Sequence, residues 1–346
     1  MIINGTEISE NSRAYVVAEI GANHCGSIEI CELMFLAAKL YGADAVKLQK
    51  RKNTSLYTKK MLKSEYANVN AYAKTYGEHR EILEFNDKQF CKLHDWSRKI
   101  GITFFATAFD EESADFLKSI DMPAYKISSF DLTNAPLLEK IASYGKPVIL
   151  STGGSSLSEI RDAVNLILQS NKELAILQCT SSYPTMREDV NLSVIDLYKK
   201  EFPEIIIGYS GHDIELDITK FAIAKGAKII EKHFTLDKTW KGTDQSMSLL
   251  PSELKEVCEA SRCFYEVFGK IEKKPLESEK TAFEKMVKCV VAAKQLLAGS
   301  VLTQNDFKIK SCGDFGITPD KMHKLINKRI TVDIIEDEAI KWEDLE

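Results

Sequence analysis

The stretch at residues 205–249, IIIGYSGHDIELDITKFAIAKGAKIIEKHFTLDKTWKGTDQSMSL, decides how the whole chain is read. Two short apolar runs, 205–208 and 228–230, each give way within a few residues to a histidine. An amphipathic segment of helical length, 216–225, separates them. The pattern is strand, helix, strand. In a parallel βαβ unit both strands point the same way, so His212 and His233 emerge at one end of a sheet although 21 positions separate them. Imidazole suits a borderline divalent cation, and two protein ligands leave most of the coordination sphere to water and substrate. The pair is therefore a candidate catalytic metal site, with Asp244 in the Gly242-Thr243-Asp244 turn as a third polar group. A lone histidine more often caps a strand or satisfies a carbonyl. Placement at two strand ends is what favours the metal.

The same alternation runs through the preceding sequence. Apolar runs at 15–18, 45–48, 103–106, 124–127, 147–150 and 174–177 join the two above to make eight candidate strands. Segments with helical spacing follow them at 29–40, 87–99, 111–119, 136–143, 157–168, 194–201, 216–225 and 251–268, and glycine commonly stops the helix, as at Gly42, Gly101, Gly145 and Gly226. Eight strands alternating with eight helices specify a (β/α)8 TIM barrel over residues 1–268. An open doubly wound sheet is the alternative. It usually carries fewer units, and Gly21-Ala22-Asn23-His24-Cys25-Gly26 does not match the glycine-rich turn it needs. Residues 1–13 form a candidate hairpin closing one end of the barrel.

Catalytic groups of a barrel sit at the C-terminal ends of its strands. Those ends carry Glu19 and Asn23, Lys47 and Gln49, Thr107, Lys126 with Ser129 and Asp131, Ser151 and Thr152, Gln178 with Thr180 and Ser181, Ser210 and His212, and Glu231 and His233. Taken singly, many of these also serve as turn formers, caps or structural acids. Lys47 and Lys126 are more telling. An unpaired ammonium inside a buried strand costs several kcal/mol, so each calls for an anion. That anion is either a barrel carboxylate such as Glu19 or a bound carboxylate or phosphate joined by nearby hydroxyls.

Residues 50–86 separate the second strand from its helix and are far longer than an ordinary βα loop. Rich in tyrosine and charge, they form a candidate lid or subunit contact, or a solvated excursion. After residue 268 the charged run GKIEKKPLESEK reads as a linker over 269–283. Short alternating segments at 288–293, 307–309 and 330–332, with turns at 298–300, 313–314 and 318–319, then give a β-rich module over 284–346.

A net charge of −5 with interspersed signs gives no reason to expect nucleic-acid binding. The eight cysteines show no CxxC spacing and read as reduced thiols. No apolar run approaches the roughly 20 residues that span a bilayer, and residues 1–12 do not resemble a signal peptide. A cytoplasmic protein is expected.

Seven motifs in order, AEIGANHCGS at 18–27, GADAVKLQ at 42–49, YKISSFDLTN at 125–134, KPVILSTGG at 146–154, LQCTSSYPT at 177–185, IGYSGHD at 207–213 and EKHFTLDKTWKGTDQSMSL at 231–249, resemble the sialic acid (nonulosonate) synthase family. The C-terminal module is similar to that family's SAF, or antifreeze-like, domain. The resemblance implies condensation of phosphoenolpyruvate with an open-chain N-acetylmannosamine-type sugar, assisted by Mn²⁺ or Mg²⁺, with release of phosphate. It implies His212 and His233 as metal ligands and Glu19 as the acid/base. Lys47, Thr107, Lys126, Ser129, Ser181 and Ser210 match phosphoenolpyruvate positions, and Gln49, Phe109, Asp131, Tyr183 and Asp244 match positions lining the sugar site. It also implies a homodimer in which the small module covers the partner's barrel mouth.

Asp131 stands where bacterial free-sugar enzymes of the family usually have glutamate, and Ser181 where they have asparagine. The run Ile309-Lys310-Ser311-Cys312-Gly313 lacks the arginine those enzymes set against the N-acetyl group. The absence of that arginine, together with KTYGEH at 74–79 and the stretches 208–212 and 237–242, looks more like the animal-type enzymes that use the 6-phosphate of N-acetylmannosamine. On that reading Lys74 and Arg80 face the 6-phosphate. Competing readings are a legionaminic, pseudaminic or deaminated sialic acid synthase, and a metal-dependent pyruvate aldolase that releases no phosphate. A non-enzymatic sugar-binding or ice-binding protein suits the C-terminal module alone and leaves the barrel residues unexplained.

Overall fold

The computed structural model describes residues 1–269, 271–313 and 316–346, and the chain divides into two compact units, residues 1–269 and 270–346. The anticipated turn at 313–314 falls partly outside the described residues.

The larger unit opens with β1 (Ile2–Ile3) and β2 (Thr6–Glu7), an antiparallel hairpin turned by Asn4 and Gly5, both at positive φ as such a turn requires. Ile3 and Ile8 bury in the barrel core, and Asn4 Nδ2 donates to Thr103 Oγ1 at 3.2 Å. Thr103 begins a barrel strand, so the hairpin sits at the barrel's N-terminal end. Eight parallel strands then close on themselves: β3 (Tyr15–Gly21), β4 (Ala45–Lys50), β5 (Thr103–Ala108), β6 (Tyr125–Ile127), β7 (Val148–Ser151), β8 (Leu174–Cys179), β9 (Ile206–Gly211) and β10 (Ile229–His233). β10 pairs with both β3 and β9.

Helices cover the outside. Ile28–Leu40, Asp87–Ile100, Leu157–Leu168 and Pro251–Phe268 each bury one stripe, for example Phe90, Leu93 and Ser97 in the second. Gly101 caps Asp87–Ile100 at φ 71°, the left-handed stop that its sequence position indicates.

Most barrel strands run longer than their apolar runs. β3 continues through Glu19 to Gly21, β4 through Gln49 to Lys50, and β10 to His233. Many of the extra residues, Glu19, Gln49, Thr107, Ser210 and His233 among them, are polar and line the barrel mouth, where hydropathy stops reporting strand structure.

Residues 50–86 are more ordered than a loop. Helices Asn53–Leu56, Lys59–Leu62 and Tyr76–Leu83 hold an aromatic cluster in which Tyr76 meets Tyr57 and Tyr66 edge-on, with Tyr66 tilted against His79. Tyr72 Oη donates to the Lys241 carbonyl at 2.6 Å, clasping the insertion to the loop after β10 and so to the C-terminal end of the barrel.

The smaller unit pairs β11 (Lys288–Ala292) with β12 (Phe307–Ser311) antiparallel around a core that includes Val290, Leu302, Leu325 and Ile340. The segment 330–332 is not a strand of its own. Ile330 makes one isolated bridge, to Leu345, and charged or polar neighbours at Arg329 and Asp333 bound a run too short for a ladder.

Candidate active site

Strand register assembles the site. Glu19 on β3 is flanked by its register partners His233 on β10 and Lys47 on β4. Gln49 is level with Thr107, Thr107 with Lys126, and Ser210 with both Cys179 and Glu231. These side chains line a cavity of about 70 Å³ at the barrel mouth, together with Phe109, Ser129, Ser151, Tyr183 and His212.

The floor is a charge lattice. Lys47 Nζ lies 2.7 Å from Glu19 Oε2 and 3.6 Å from Glu231 Oε1, and donates to Thr107 Oγ1 at 2.9 Å. Lys126 Nζ lies 3.8 Å from the same Glu231 oxygen. Burial works against the charges of Lys47, Lys126 and Glu231. For Lys47 the two glutamates outweigh it and hold the ammonium above its ordinary pKa. For Lys126 burial wins, lowering the pKa against the pull of Glu231. Burial alone would push the Glu231 carboxyl up, but Lys126 and Lys47 bring it below its usual value. Glu231 Oε2 has no hydrogen-bond partner, nor do the buried hydroxyls of Ser151 and Ser181. A ligand anion with acceptor oxygens meets two ammonium groups and unspent hydroxyls here.

A cradle adjoins that floor. The Gly153 N–H donates to Ser129 Oγ at 2.9 Å. A Cβ on Gly153 would sit 2.3 Å from Ser181 Oγ and 3.0 Å from the Ser181 backbone nitrogen, so only glycine leaves the space open.

On the other side His212 and His233 stand with ring centroids 5.6 Å apart. His212 Nδ1 lies 2.9 Å from the Thr180 carbonyl, which assigns the proton to Nδ1 and leaves Nε2 as the free lone pair. Burial, aided by His233, lowers the His212 pKa to about 4, so the ring is neutral at pH 7. His233 Nδ1 is buried without a hydrogen bond, 4.0 Å from Asp244 Oδ2. Among the described residues no three or more His, Cys, Asp and Glu side chains form a protein-only metal set. The donor set fits a divalent ion held by these two imidazoles with its other positions left to substrate and water.

Not every expected residue reaches the cavity. Asp131 is buried in a 3₁₀ turn and accepts hydrogen bonds from Ser128 Oγ and Asn134 Nδ2, so its carboxylate closes its own turn. Burial raises its pKa. Arg80 pairs through Nη2 with Glu84 at 2.8 Å while its Nε is buried without a hydrogen bond, and Lys74 is exposed in the insertion. Neither lines the cavity. Their charge suggested a phosphate contact, but charge alone does not report a side chain's partner.

Two residues gain weight from the structure. Glu231 bridges both lysines, and Arg51 lies over the Phe109 ring at 4.4 Å. Alternation by two from Lys47 and Gln49 would have reached Arg51. A larger cavity of about 450 Å³ lies beyond it, lined by residues 50–54, 81, 84–87, 112, 113 and 116. Its cations are already engaged, Lys50 with Asp87 at 2.9 Å and Lys52 with Glu112.

Comparison with known proteins agrees with the geometry. Residues 34–273 match the model of the NeuB family and residues 287–346 that of the SAF domain. N-acetylneuraminate-9-phosphate synthase of Mus musculus is 39% identical over 96% of this chain and 92% of its own length. N,N'-diacetyllegionaminic acid synthase of Legionella pneumophila is 33% identical over 99% and 98%. Among solved structures, the sialic acid synthetase of Leptospira borgpetersenii in complex with citrate superposes with a TM-score of 0.73 at 33% identity, covering 82% of this chain and 95% of that one. The putative spore coat polysaccharide biosynthesis protein E of Chromobacterium violaceum gives 0.81 at 25% identity, covering 96% and 99%. The chain belongs to the NeuB family of sialic acid synthases, a (β/α)8 barrel with a SAF domain, and is an enzyme of that phosphoenolpyruvate-dependent condensing class.

Proposed function

We propose that this enzyme condenses phosphoenolpyruvate with N-acetylmannosamine 6-phosphate, giving N-acetylneuraminate 9-phosphate and inorganic phosphate. The observation that carries the reaction is the buried Glu19–Lys47–Glu231–Lys126 lattice facing two imidazoles across one barrel mouth.

Lys47 and Lys126 receive the carboxylate and phosphate of phosphoenolpyruvate, with Thr107, Ser129, Ser181 and Ser210 as hydroxyl partners and Gly153 leaving room. Gln49, Phe109 and Tyr183 border the acceptor sugar, with Asp131 and Asp244 further out. A divalent ion, Mn²⁺ or Mg²⁺, when held by His212 and His233 supplies Lewis-acid polarisation of the sugar aldehyde. The enol carbon C3 bonds to that aldehyde carbon, the C=O electron pair moving to oxygen as an alkoxide and C2 becoming an oxocarbenium. Water adds at C2 and gives Glu19 a proton that ends on the alkoxide; the C2 hydroxyl then gives its proton to the phosphate oxygen as the C2–O bond breaks, leaving the 2-keto group and releasing inorganic phosphate. Enclosure in the barrel keeps the lysines desolvated until the anion arrives.

The preference for the phosphorylated sugar rests on the N-acetylneuraminate-9-phosphate synthases at 39% identity and on the absence of arginine from residues 309–313. The second reading is a legionaminic acid synthase, favoured by the Legionella relative that matches nearly end to end. Assembly as a homodimer belongs to the same proposal, supported by the exposed Phe130, Tyr183 and Met186 at or near the mouth. Among the described residues no helix is long and apolar enough to cross a membrane.

The test is kcat/KM for phosphate release with N-acetylmannosamine, its 6-phosphate, mannose 6-phosphate and a 2,4-diacetamido hexose. The 6-phosphate is expected to lead. A lead by the diacetamido sugar moves the chain to the second reading.

A further inference from the structure

The reaction as described leaves Arg51 unused, although it is buried against the site. Its guanidinium carbon lies 4.4 Å from the centre of the Phe109 ring, its Nη2 donates to Gln49 Oε1, and its Nε faces Glu84 Oε1 at 3.3 Å. Gln49 Nε2 in turn donates to Glu19 Oε1 at 2.9 Å. Four side chains thus form one line, Glu84, Arg51, Gln49 and Glu19, that ends on the acid/base.

We infer that Arg51 is a positioning residue of the reaction, which fixes the Gln49 side-chain amide so that its NH₂ end, and not its oxygen, faces Glu19. The two ends of a primary amide have nearly the same shape and opposite hydrogen-bonding roles. A guanidinium only donates, so whichever end meets Arg51 must be the oxygen. The other end is then obliged to donate to Glu19. With Arg51 gone, the amide keeps only its NH₂ contact with the acceptor Glu19 and its oxygen is no longer pinned, so it is free to swing about that one hydrogen bond, which loosens the orientation of the group that handles the attacking water.

The surroundings make this a built device. Glu84 faces Arg51 and is itself shared with Arg80 at 2.8 Å, so Arg51 is held from behind. The Phe109 face adds a cation–π contact on the cavity side. Gly21, at positive φ, would bring a Cβ within 3.3 Å of both Gln49 Nε2 and Glu19 Oε1, so the amide and carboxylate meet in a close-packed corner.

The inference rests on Glu19 as the acid/base, and two readouts separate its failure from a failure of that reading. The first needs no catalysis. In protein labelled with ¹⁵N at glutamine side chains, the Gln49 amide is assigned by its loss in Gln49→Glu, and its solvent exchange is measured in the parent and in Arg51→Ala, Arg51→Gln and Arg51→Lys. Exchange is expected to quicken at least tenfold in Arg51→Ala and in Arg51→Gln, whose own amide can present either end, and to stay near the parent value in Arg51→Lys, another pure donor. If Arg51→Ala does not fold, Arg51→Gln against Arg51→Lys carries the comparison. Equal exchange in all folded variants overturns the inference.

The second readout is a double-mutant cycle on kcat. Arg51→Ala is expected to lower kcat at least tenfold in the parent and to have little further effect in Gln49→Ala, because the arginine acts through the amide. The same loss in both backgrounds also overturns the inference. A parent that releases no phosphate with any acceptor refutes the proposed reaction and leaves the exchange result to decide the role of Arg51.

Discussion

Glu19 and Lys47 are register partners on adjacent barrel strands, and their charged ends meet 2.7 Å apart with both side chains almost fully buried. Lys47 also faces Glu231, so neutralising Glu19 does not leave the ammonium alone. Glu19→Gln is therefore expected to fold with a melting temperature close to the parent's and to keep its affinity for phosphoenolpyruvate. Turnover should fall by about 10²–10⁴, the usual contribution of a positioned acid/base. Calorimetry with a phosphate assay separates the two effects. Lys47→Met, by contrast, removes the partner shared by two buried carboxylates and is expected to cost about 3–5 kcal/mol of stability.

The space beside Gly153 gives a steric prediction. Gly153→Ala places a methyl 2.3 Å from Ser181 Oγ, against a backbone nitrogen at 3.0 Å that cannot swing away. Overpacking of this kind costs about 1–3 kcal/mol. Because the displaced hydroxyl faces the cradle, the dissociation constant of phosphoenolpyruvate is expected to rise about tenfold or more, as read by calorimetric titration. An unchanged constant would place the anion elsewhere.

The two imidazoles carry the metal in this account. Manganese binding, followed by the electron paramagnetic resonance of free Mn²⁺, should weaken at least tenfold in His212→Ala and in His233→Ala. Removing metal with a chelator should stop phosphate release, and Mn²⁺ should restore it in the parent alone.

Stability has a pH dependence that His24 helps set. Its ring stacks on Phe85 at a centroid distance of 4.0 Å, its Nδ1 accepts from the Gly26 N–H at 3.1 Å, and burial lowers its pKa from 6.5 to about 3. The unfolded chain therefore takes up this proton first. The stabilisation is fully present above pH 6.5 and is lost as pH falls toward 3. The slope from one such group is about 1.4 kcal/mol per pH unit. His24→Gln should flatten the stability curve between pH 6.5 and 5 by about that much in denaturant titrations. An unaltered slope would mean that His24 does not govern it.

The barrel was legible because the interior of a closed parallel sheet must be apolar along most of each strand, and all eight runs recur at helix-separated intervals. What hydropathy hides is the C-terminal end of many strands, where Glu19, Gln49 and His233 continue the ladder as polar residues. The insertion was legible only as an insertion. Helices of four residues such as Asn53–Leu56 are too short to show a period, and the aromatic cluster joining Tyr57, Tyr66 and Tyr76 is made by tertiary packing. Arg80 illustrates the same limit. Its helix position relative to Glu84 gives its Nη2 a local partner four residues on, a contact that its charge alone does not announce.

One measurement bears most directly on the barrel mouth as a site of phosphoenolpyruvate condensation. Phosphoenolpyruvate vinyl protons and inorganic phosphate are followed together by ¹H and ³¹P NMR with Mn²⁺, with and without N-acetylmannosamine 6-phosphate, for the parent and Glu19→Gln. One phosphate per phosphoenolpyruvate, formed only when the sugar is present and only by the parent, is the expected result. Phosphate release at the same rate without a sugar, or by Glu19→Gln, would contradict the assignment of this site.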